Sequence, residues 1–137
     1  MNNTSLKEKK EIEVVAAIIE YQEKFLCVQR GENKLSYISK KYEFPGGKVE
    51  EGETQNQALI REIREELEMD IEPINLLLTV NHEYPDFKIK MHGILCKSNS
   101  DSLTLTEHID YKWLSKSELA ALDWAEADIP IVKILVK

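Results

Sequence analysis

The chain has 137 residues, a length that fits one domain around one hydrophobic core. Apolar residues make up 42% and charged residues 31%, an ordinary balance for a globular protein. The formal net charge of -7 and the lack of a basic stripe argue against a nucleic acid polymer as partner. A small phosphate compound remains compatible with this charge if divalent cations separate its negative charges from those of the protein.

The polar start of the chain, residues 1–11, is expected to form a flexible N-terminus, not a secretory signal or an anchor. Residues 12–137 are expected to form a single domain. No stretch approaches the ~20 apolar residues of a membrane span, so no membrane partner is expected. Cys27 and Cys96 lie in apolar runs far apart in the sequence, which favours two buried free thiols in a reducing cytoplasm.

Hydrophobic patterning predicts two strands early in the chain, over residues 13–19 and 24–29, joined by a tight turn over 20–23. A short extended segment, 42–45, follows a polar loop and ends at a pair of glycines. Helical spacing of apolar residues then runs from 54 to 67. This half of the chain is therefore expected to pack one helix against a small group of strands.

The second half is predicted to begin with two strands, over residues 74–82 and 88–96, and to continue with a short strand over 111–114. A helix is predicted to start at Ser115, and a last helix to run over 128–137 with Pro130 in its first turn. The order of strands, helix, strands and helices predicts an α+β or mixed α/β fold, with helices packed on a mixed sheet.

The helix over residues 54–67 carries two adjoining faces of opposite character. Thr54 and Gln57 form a T-x-x-Q capping box at its start. An apolar stripe that should pack on the sheet contains Leu59, Ile60, Ile63 and Leu67. Glu62, Glu65 and Glu66 share the neighbouring face, at spacings of i, i+3 and i+4. A solvated acidic face is the simplest interpretation of these three glutamates.

Three features favour a functional interpretation of the acidic face. It adjoins the apolar stripe, so its carboxylates should lie at the rim of a groove. Arg61 and Arg64 are too few to neutralise it. The glycine pair that precedes the helix would let the backbone approach a ligand closely. Because hard divalent cations bind several oxygen ligands, the pattern indicates a metal site.

These residues match a known pattern. Gly47, Glu53, the run Arg61-Glu62-Ile63 and the pair Glu65-Glu66, at their spacings in this chain, resemble the Nudix box of the Nudix hydrolases. The resemblance extends to the MutT-like branch through residues 42–48, the first strand, residues 82–86 and residues 127–132, so that it covers roughly 12–135. It implies the Nudix fold, an α/β/α sandwich in which helices flank a mixed sheet.

The resemblance also implies a role for the residues of the box. Mg²⁺, with Mn²⁺ as a possible substitute, would be bound by Glu62, Glu65, Glu66 and the carbonyl of Gly46. Glu62 or Glu65 would act as the general base. Glu53 and Arg61 would pair to hold the loop and the helix together. Glu107 matches a further metal ligand outside the box, although a glutamate in a polar loop is more often a surface residue.

The substrate-binding residues are likewise implied by the resemblance. Asp128 would hydrogen-bond the nucleobase; a helix N-cap before Pro130 is the other interpretation, and both could be true. Phe44 and Tyr84 would form walls of the site or pack as ordinary aromatic residues. Arg30 would contact phosphate or base, and could instead be solvated. Gly47 and Lys48 complete the predicted substrate site, whereas His82, His92 and His108 show no ligand spacing and are predicted to be non-catalytic.

One residue departs from the family pattern. The pattern has a glycine where this chain has Glu68. The glycine would end the helix in a left-handed conformation, which costs other residues on the order of 1 kcal/mol. The sequence therefore predicts that this helix end is rearranged, with a local loss of stability and little effect on activity.

The resulting hypothesis is a nucleoside triphosphate pyrophosphohydrolase that yields a nucleoside monophosphate and pyrophosphate. Removal of 8-oxo-dGTP and hydrolysis of CTP or modified dCTP fit the resemblance equally well. Three alternatives remain open: a Nudix hydrolase of another nucleoside diphosphate derivative such as a nucleotide sugar, a non-catalytic Nudix-fold binding module, and a structural domain with an acidic helix. The short chain argues against the first, and the intact Glu62, Glu65 and Glu66 argue against the second.

Overall fold

The computed structural model describes residues 9–137, so most of the predicted flexible N-terminus, residues 1–8, lies outside the described residues. The first strand begins at Glu11, one residue before the predicted domain boundary. Lys9 and Lys10 already contact the sheet: the Nζ of Lys9 lies 2.6 Å from Oε2 of Glu83, and the amide of Lys88 donates to the carbonyl of Lys10 at 2.9 Å. Ordered contacts thus begin before the predicted boundary.

Strands and helices occur close to where the sequence predicts them, except that the glycine pair, which was expected only to end an extended segment, forms a strand of its own. The strands are β1 (Glu11–Tyr21), β2 (Lys24–Gln29), β3 (Tyr42–Glu43), β4 (Gly46–Lys48), β5 (Glu72–Glu83), β6 (Lys88–Lys97) and β7 (Asp110–Leu114). The α-helices are α1 (Gln55–Leu67), α2 (Lys116–Leu119) and α3 (Ile129–Leu135), and a short 3-10 helix, Glu126–Asp128, leads into α3. β1 is longer than its apolar run because it pairs with β6 from Glu11 to Glu20, which extends the strand into polar residues.

The strands form one mixed sheet with β1 near its centre. Its order is β3-β2-β1-β6-β5, with β4 paired to β1 and β7 paired to β2. β1 and β6 are parallel, and the other pairs are antiparallel. β1 pairs with β4 from Val14 to Ala16 and with β2 only at Glu20 and Tyr21. Two different strands, β4 and β2, thus pair with the same edge of β1. The glycine pair of β4 lies against the N-terminal half of β1.

Helices cover both faces of the sheet, which confirms the predicted α+β sandwich. Side chains of β1 alternate between the faces, as a strand requires. On one face α1 packs on the sheet in a cluster that includes Val15, Ala17, Ile19, Leu59, Ile63 and Leu67. On the other face α2 and α3 pack in a cluster that includes Ala16, Ile18, Leu119, Ile131 and Val132. Ile60 was predicted to be buried with the apolar stripe of α1 but is only half-buried.

The two cysteines are free and buried, as predicted. Burial raises the pKa of the Cys27 thiol and of the Cys96 thiol to about 12, so neither is a ready nucleophile at neutral pH. No helix within residues 9–137 combines the length and the apolar character that crossing a membrane requires.

The capping box of α1 is present as predicted, and the predicted rearrangement at its other end is wrong. Glu68 keeps the left-handed conformation, with φ 53° and ψ 41°, and its amide donates to the carbonyl of Arg64. The last carbonyls of the helix are bound by a neighbouring loop, in which Thr104 donates to Leu67 and Thr106 donates to Glu66. These tertiary hydrogen bonds hold the helix end in place and outweigh the cost of a left-handed glutamate.

Glu68→Gly is expected to raise the free energy of unfolding by up to about 1 kcal/mol. Removal of the left-handed penalty of roughly 1–2 kcal/mol outweighs the entropy of about 0.4–1 kcal/mol that glycine adds to the unfolded chain. Urea unfolding measures the change. Asn56→Gly, at an exposed position of α1, is the control and should lower stability. Equal destabilisation by both substitutions would contradict the prediction.

Candidate active site

A cavity of about 440 Å³ opens on the sheet beside β1, β4 and β6. Its volume falls in the range of roughly 300–1,000 Å³ that is usual for small-molecule sites. Nine of the predicted site residues line it: Arg30, Phe44, Gly46, Gly47, Lys48, Glu62, Glu66, Tyr84 and Asp128. The predicted residues outside its lining are Glu53, Arg61, Glu65 and Glu107. The fold thus brings both acidic and substrate-binding candidates to one cavity.

Glu53 and Arg61 form the pair that the resemblance implied. Nε of Arg61 lies 2.6 Å from Oε2 of Glu53, and Nη2 lies 2.9 Å from Oε1. Oε1 of Glu53 also accepts from the amide of Glu50, and Nη2 of Arg61 donates to the carbonyl of Lys48. This two-bond pair ties the loop after β4 to the middle of α1 and so fixes the direction in which the acidic face points.

Arg61 also contacts the acidic face itself, although one guanidinium that is shared with Glu53 does not neutralise it. Its Nη1 lies 2.9 Å from Oε1 of Glu62 and 3.2 Å from Oε1 of Glu65. Arg64 instead turns away to Asp70. The Glu65 side chain is 60% exposed and lies outside the cavity, whereas that of Glu62 is 15% exposed and lines it.

The Glu53–Arg61 pair is expected to contribute to the loss of folding stability at acid pH. Hydrogen bonds from Arg61 and from the Glu50 amide lower the pKa of Glu53 from 4.5 to about 2. A lowered pKa means that the stabilisation is present above about pH 4.5 and is lost as the pH falls towards 2. Urea unfolding of the wild type should therefore show a steeper loss of stability below pH 4.5 than unfolding of Glu53→Gln.

The control for this comparison is Glu51→Gln, an exposed neutralisation in the same loop. It should leave the acid dependence close to that of the wild type. An identical pH dependence in Glu53→Gln and the wild type would show that the pair contributes nothing to acid stability.

Glu66 differs from the other two glutamates of the acidic face because it is buried and unsatisfied. The residue is 8% exposed, and its Oε1 has no hydrogen-bond partner. Burial raises its pKa to about 9, and repulsion from Glu62, Glu107 and Glu43 adds to the shift. A buried carboxylate oxygen without a donor is costly, and a bound cation would satisfy it.

Residues 9–137 contain no group of three His, Cys, Asp or Glu side chains already arranged around one point. The contact of Glu65 with Arg61 gives one physical reason. The donor set nevertheless fits a divalent cation, because Glu66 offers an orphaned oxygen and Glu62 lies at the same cavity wall.

The two glycines make room for different atoms. A Cβ at Gly47 would lie 2.2 Å from Oε2 of Glu62, so this glycine is what allows the carboxylate to lie against β4. A Cβ at Gly46 would lie 1.9 Å from the carbonyl oxygen of Val15, which is backbone of the paired strand. Gly47 therefore serves the position of a site carboxylate, and Gly46 serves the pairing of β4 with β1.

Asp128 reaches across the molecule to the strand segment beside the glycine pair. Its Oδ1 accepts from the amide of Phe44 at 2.9 Å, and it makes no side-chain capping bond to α3. Asp128 therefore occupies the predicted N-cap position of α3, but its side chain does not make the hydrogen bond of an N-cap. Burial, with repulsion from Glu43, raises the pKa of Asp128 well above its ordinary value.

The aromatic residues of the cavity are held by other aromatic rings. Phe44 stacks on Trp124 with ring centroids 4.7 Å apart, and Tyr84 stacks on Tyr37 at 5.2 Å. The hydroxyl of Tyr84 accepts from the amide of Ala127 at 3.0 Å. Both rings are thus fixed walls of the cavity.

Sequence reasoning missed Glu43, which lines the cavity. Its Oε1 lies 3.2 Å from Nη1 of Arg30, and its Oε2 lies 3.0 Å from Nε2 of His108. His108 itself does not line the cavity. Arg30, Glu43 and His108 lie far apart in the sequence, so no motif of fixed spacing could have predicted their contacts. The apolar wall was also missed and includes Ile38, Phe87, Ile89 and Met91.

Comparisons with known proteins identify the family to which the chain is similar. The model of the NUDIX domain matches residues 14–133. The CTP pyrophosphohydrolase of Escherichia coli (strain K12) is 38% identical over 124 residues, which cover 90% of each chain. The 8-oxo-dGTP diphosphatase of Proteus vulgaris is 34% identical over 99 residues, which cover 72% of this chain and 88% of that protein.

A similar solved structure is that of the MutT protein, a Nudix hydrolase, from methicillin-resistant Staphylococcus aureus 252. It is 44% identical, has a TM-score of 0.73, and the match covers 94% of this chain and 98% of that one. A family model that spans most of the chain, relatives of nearly equal length and the shared architecture lead to one conclusion: the chain belongs to the Nudix hydrolase family.

Proposed function

We propose that this protein is a Mg²⁺-dependent nucleoside triphosphate pyrophosphohydrolase, which adds water to a triphosphate and releases a nucleoside monophosphate and pyrophosphate. One observation carries the proposal: a single cavity is lined both by the carboxylates Glu62 and Glu66 and by the buried Asp128 beside two fixed aromatic rings. A charged polyphosphate and an aromatic base need these two kinds of surface within one site.

Glu62, Glu66 and the carbonyl of Gly46 would hold the cation, joined by Glu65 and Glu107 from the rim. The unpartnered Oε1 of Glu66 and the net charge of -7 support a cation between protein and phosphate. When bound, the cation, Mg²⁺ or in its place Mn²⁺, polarises the phosphoanhydride and lowers the pKa of water.

Glu62 is the better of the two candidates for the general base. It lines the cavity, whereas Glu65 is exposed and faces Arg61. A base must lie within hydrogen-bond reach of the proton that it accepts, and only Glu62 borders the space available to substrate. Lys48 and Arg30, both in the cavity lining, would supply positive charge to the phosphates.

Away from the carboxylates of α1, Asp128 would hydrogen-bond the nucleobase of the substrate, between cavity walls formed by Phe44 and Tyr84. Its Oδ1 already accepts from the Phe44 amide, which holds the carboxyl group in one orientation. Relatives that hydrolyse CTP and relatives that hydrolyse 8-oxo-dGTP both support this class of substrate. Asp128 could meet the cytosine amine or the N–H groups of a guanine-type base.

The test is pyrophosphate release with Mg²⁺ across dGTP, 8-oxo-dGTP, CTP, dCTP and 5-methyl-dCTP, ranked by kcat/KM. A nucleotide sugar is included as the competing substrate class. Preference for any triphosphate supports the proposal, and preference for the nucleotide sugar replaces it with the alternative enzyme. Nucleotide binding without turnover of any compound would instead identify a non-catalytic binding module.

The proposal also covers partners and compartment. We propose that the protein is a monomer or homodimer. We also propose that it binds no nucleic acid polymer, and the net charge of -7 supports this second point. The free thiols of Cys27 and Cys96 support a reducing compartment such as the cytoplasm.

A further inference from the structure

The segment between β6 and β7, residues 98–109, carries Glu107. Hydrogen bonds from the residues just before Glu107 anchor this segment to α1. The amide and the hydroxyl of Thr106 both donate to the carbonyl of Glu66, at 3.2 Å and 2.9 Å. The amide of Thr104 donates to the carbonyl of Leu67 at 2.9 Å. The residue that precedes Glu107 is therefore bound to the backbone of a proposed metal-binding residue.

A second hydrogen bond, made by the residue just after Glu107, also anchors the segment. Nε2 of His108 lies 3.0 Å from Oε2 of Glu43, and the histidine side chain is only 7% exposed. A carboxylate can only accept, so Nε2 carries the proton of this hydrogen bond. The other oxygen of Glu43 is 3.2 Å from Nη1 of Arg30. One carboxylate thus connects the segment to β3 and to the end of β2.

We propose that Thr106, His108 and Glu43 are positioning residues that hold the exposed Glu107 next to Glu66, where it completes the cation site. The inference rests on the metal site of the proposed function. Glu107 lies in an irregular segment, and without these two sets of hydrogen bonds that segment would have to lose its conformational freedom on each binding event. Hydrogen bonds that orient metal ligands commonly change metal affinity about 10–100-fold when they are removed.

The experiment measures Mn²⁺ binding by electron paramagnetic resonance, without nucleotide, on the full chain. His108→Leu is expected to weaken binding about tenfold or more, as is Glu107→Gln. The double variant should bind no more weakly than Glu107→Gln alone, because both changes act through one carboxylate. His108→Gln retains an N–H donor near the Nε2 position and should recover most of the affinity. Thr106→Val loses only the hydroxyl hydrogen bond to Glu66 and should also weaken Mn²⁺ binding. It therefore tests the same inference if His108→Leu does not fold.

His92→Leu is the matched control. His92 is also buried, and its Nε2 lies 2.8 Å from Oε2 of Glu13, but it does not line the cavity. Its replacement should leave Mn²⁺ affinity unchanged. Wild-type affinity in both His108→Leu and Thr106→Val, or losses that add fully to that of Glu107→Gln, would overturn the inference.

The binding readout separates this inference from the proposed function. A wild type that binds Mn²⁺ and hydrolyses no nucleotide would contradict the function while leaving the positioning network testable. A wild type that hydrolyses triphosphates, with unchanged Mn²⁺ affinity in Glu107→Gln, would overturn only the inference.

Discussion

Glu66→Gln is expected to reduce kcat for pyrophosphate release by at least about 100-fold, because losing a direct ligand should cost no less than losing one of its supporting partners. Glutamine keeps the size of the side chain and removes the charge that a cation requires. The fold should survive, since the buried Oε1 has no hydrogen-bond partner to lose and repulsion from Glu62 disappears.

Two measurements check this prediction. Steady-state turnover at saturating Mg²⁺ gives kcat, and melting temperature with and without Mg²⁺ reports cation binding to the folded protein. The wild type should melt higher with Mg²⁺, and Glu66→Gln should respond much less. Glu51→Gln, an exposed neutralisation in the neighbouring loop, should behave like the wild type.

Glu65→Gln should also lower kcat strongly, although the Glu65 side chain is exposed and paired with Arg61. Near-wild-type turnover in both Glu65→Gln and Glu66→Gln would contradict the assignment of these carboxylates to metal. A wild type with no Mg²⁺-linked rise in melting temperature would favour a structural domain with an acidic helix.

Gly47→Ala is expected to lower kcat by about 100-fold or more while the protein remains folded. The new methyl group would lie 2.2 Å from Oε2 of Glu62, so the carboxylate must move away from β4. The obstacle is the end of a side chain, which can rotate at modest cost, but the moved carboxylate no longer occupies its place in the cavity. Misplacement of a reacting group by ~1 Å can cost about 100-fold.

Gly46→Ala is the matched comparison, because the two glycines are adjacent on the same strand. Its methyl group would lie 1.9 Å from the backbone oxygen of Val15, which cannot rotate away. Loss of stability by roughly 1–3 kcal/mol or more is expected here, as for an overpacked core. Turnover and urea unfolding of both variants separate the two effects. Equal destabilisation by both, or full activity in Gly47→Ala, would contradict the distinction.

The positions of the strands and helices were predictable because the apolar periodicity and the capping residues that mark them are local features of the sequence. The capping box of Thr54 and Gln57 depends on residues three apart, and the structure contains both of its hydrogen bonds. The apolar stripe of α1 depends on helical periodicity, and Leu59, Ile63 and Leu67 are buried as predicted. The helix end at Glu68 was mispredicted because its conformation is decided by Thr104 and Thr106 from a distant loop.

The α+β class, the capped helix and the acidic face could be predicted from the sequence, because each follows from spacings within a few residues. The box pattern also identified the family and the Glu53–Arg61 pair. The tertiary structure was needed to show which carboxylate is buried without a partner and to show that Arg61 contacts two of the others. It alone joined Asp128 to Phe44 and Glu43 to His108, since such contacts between residues 84 and 65 positions apart depend on how the sheet brings separate segments together.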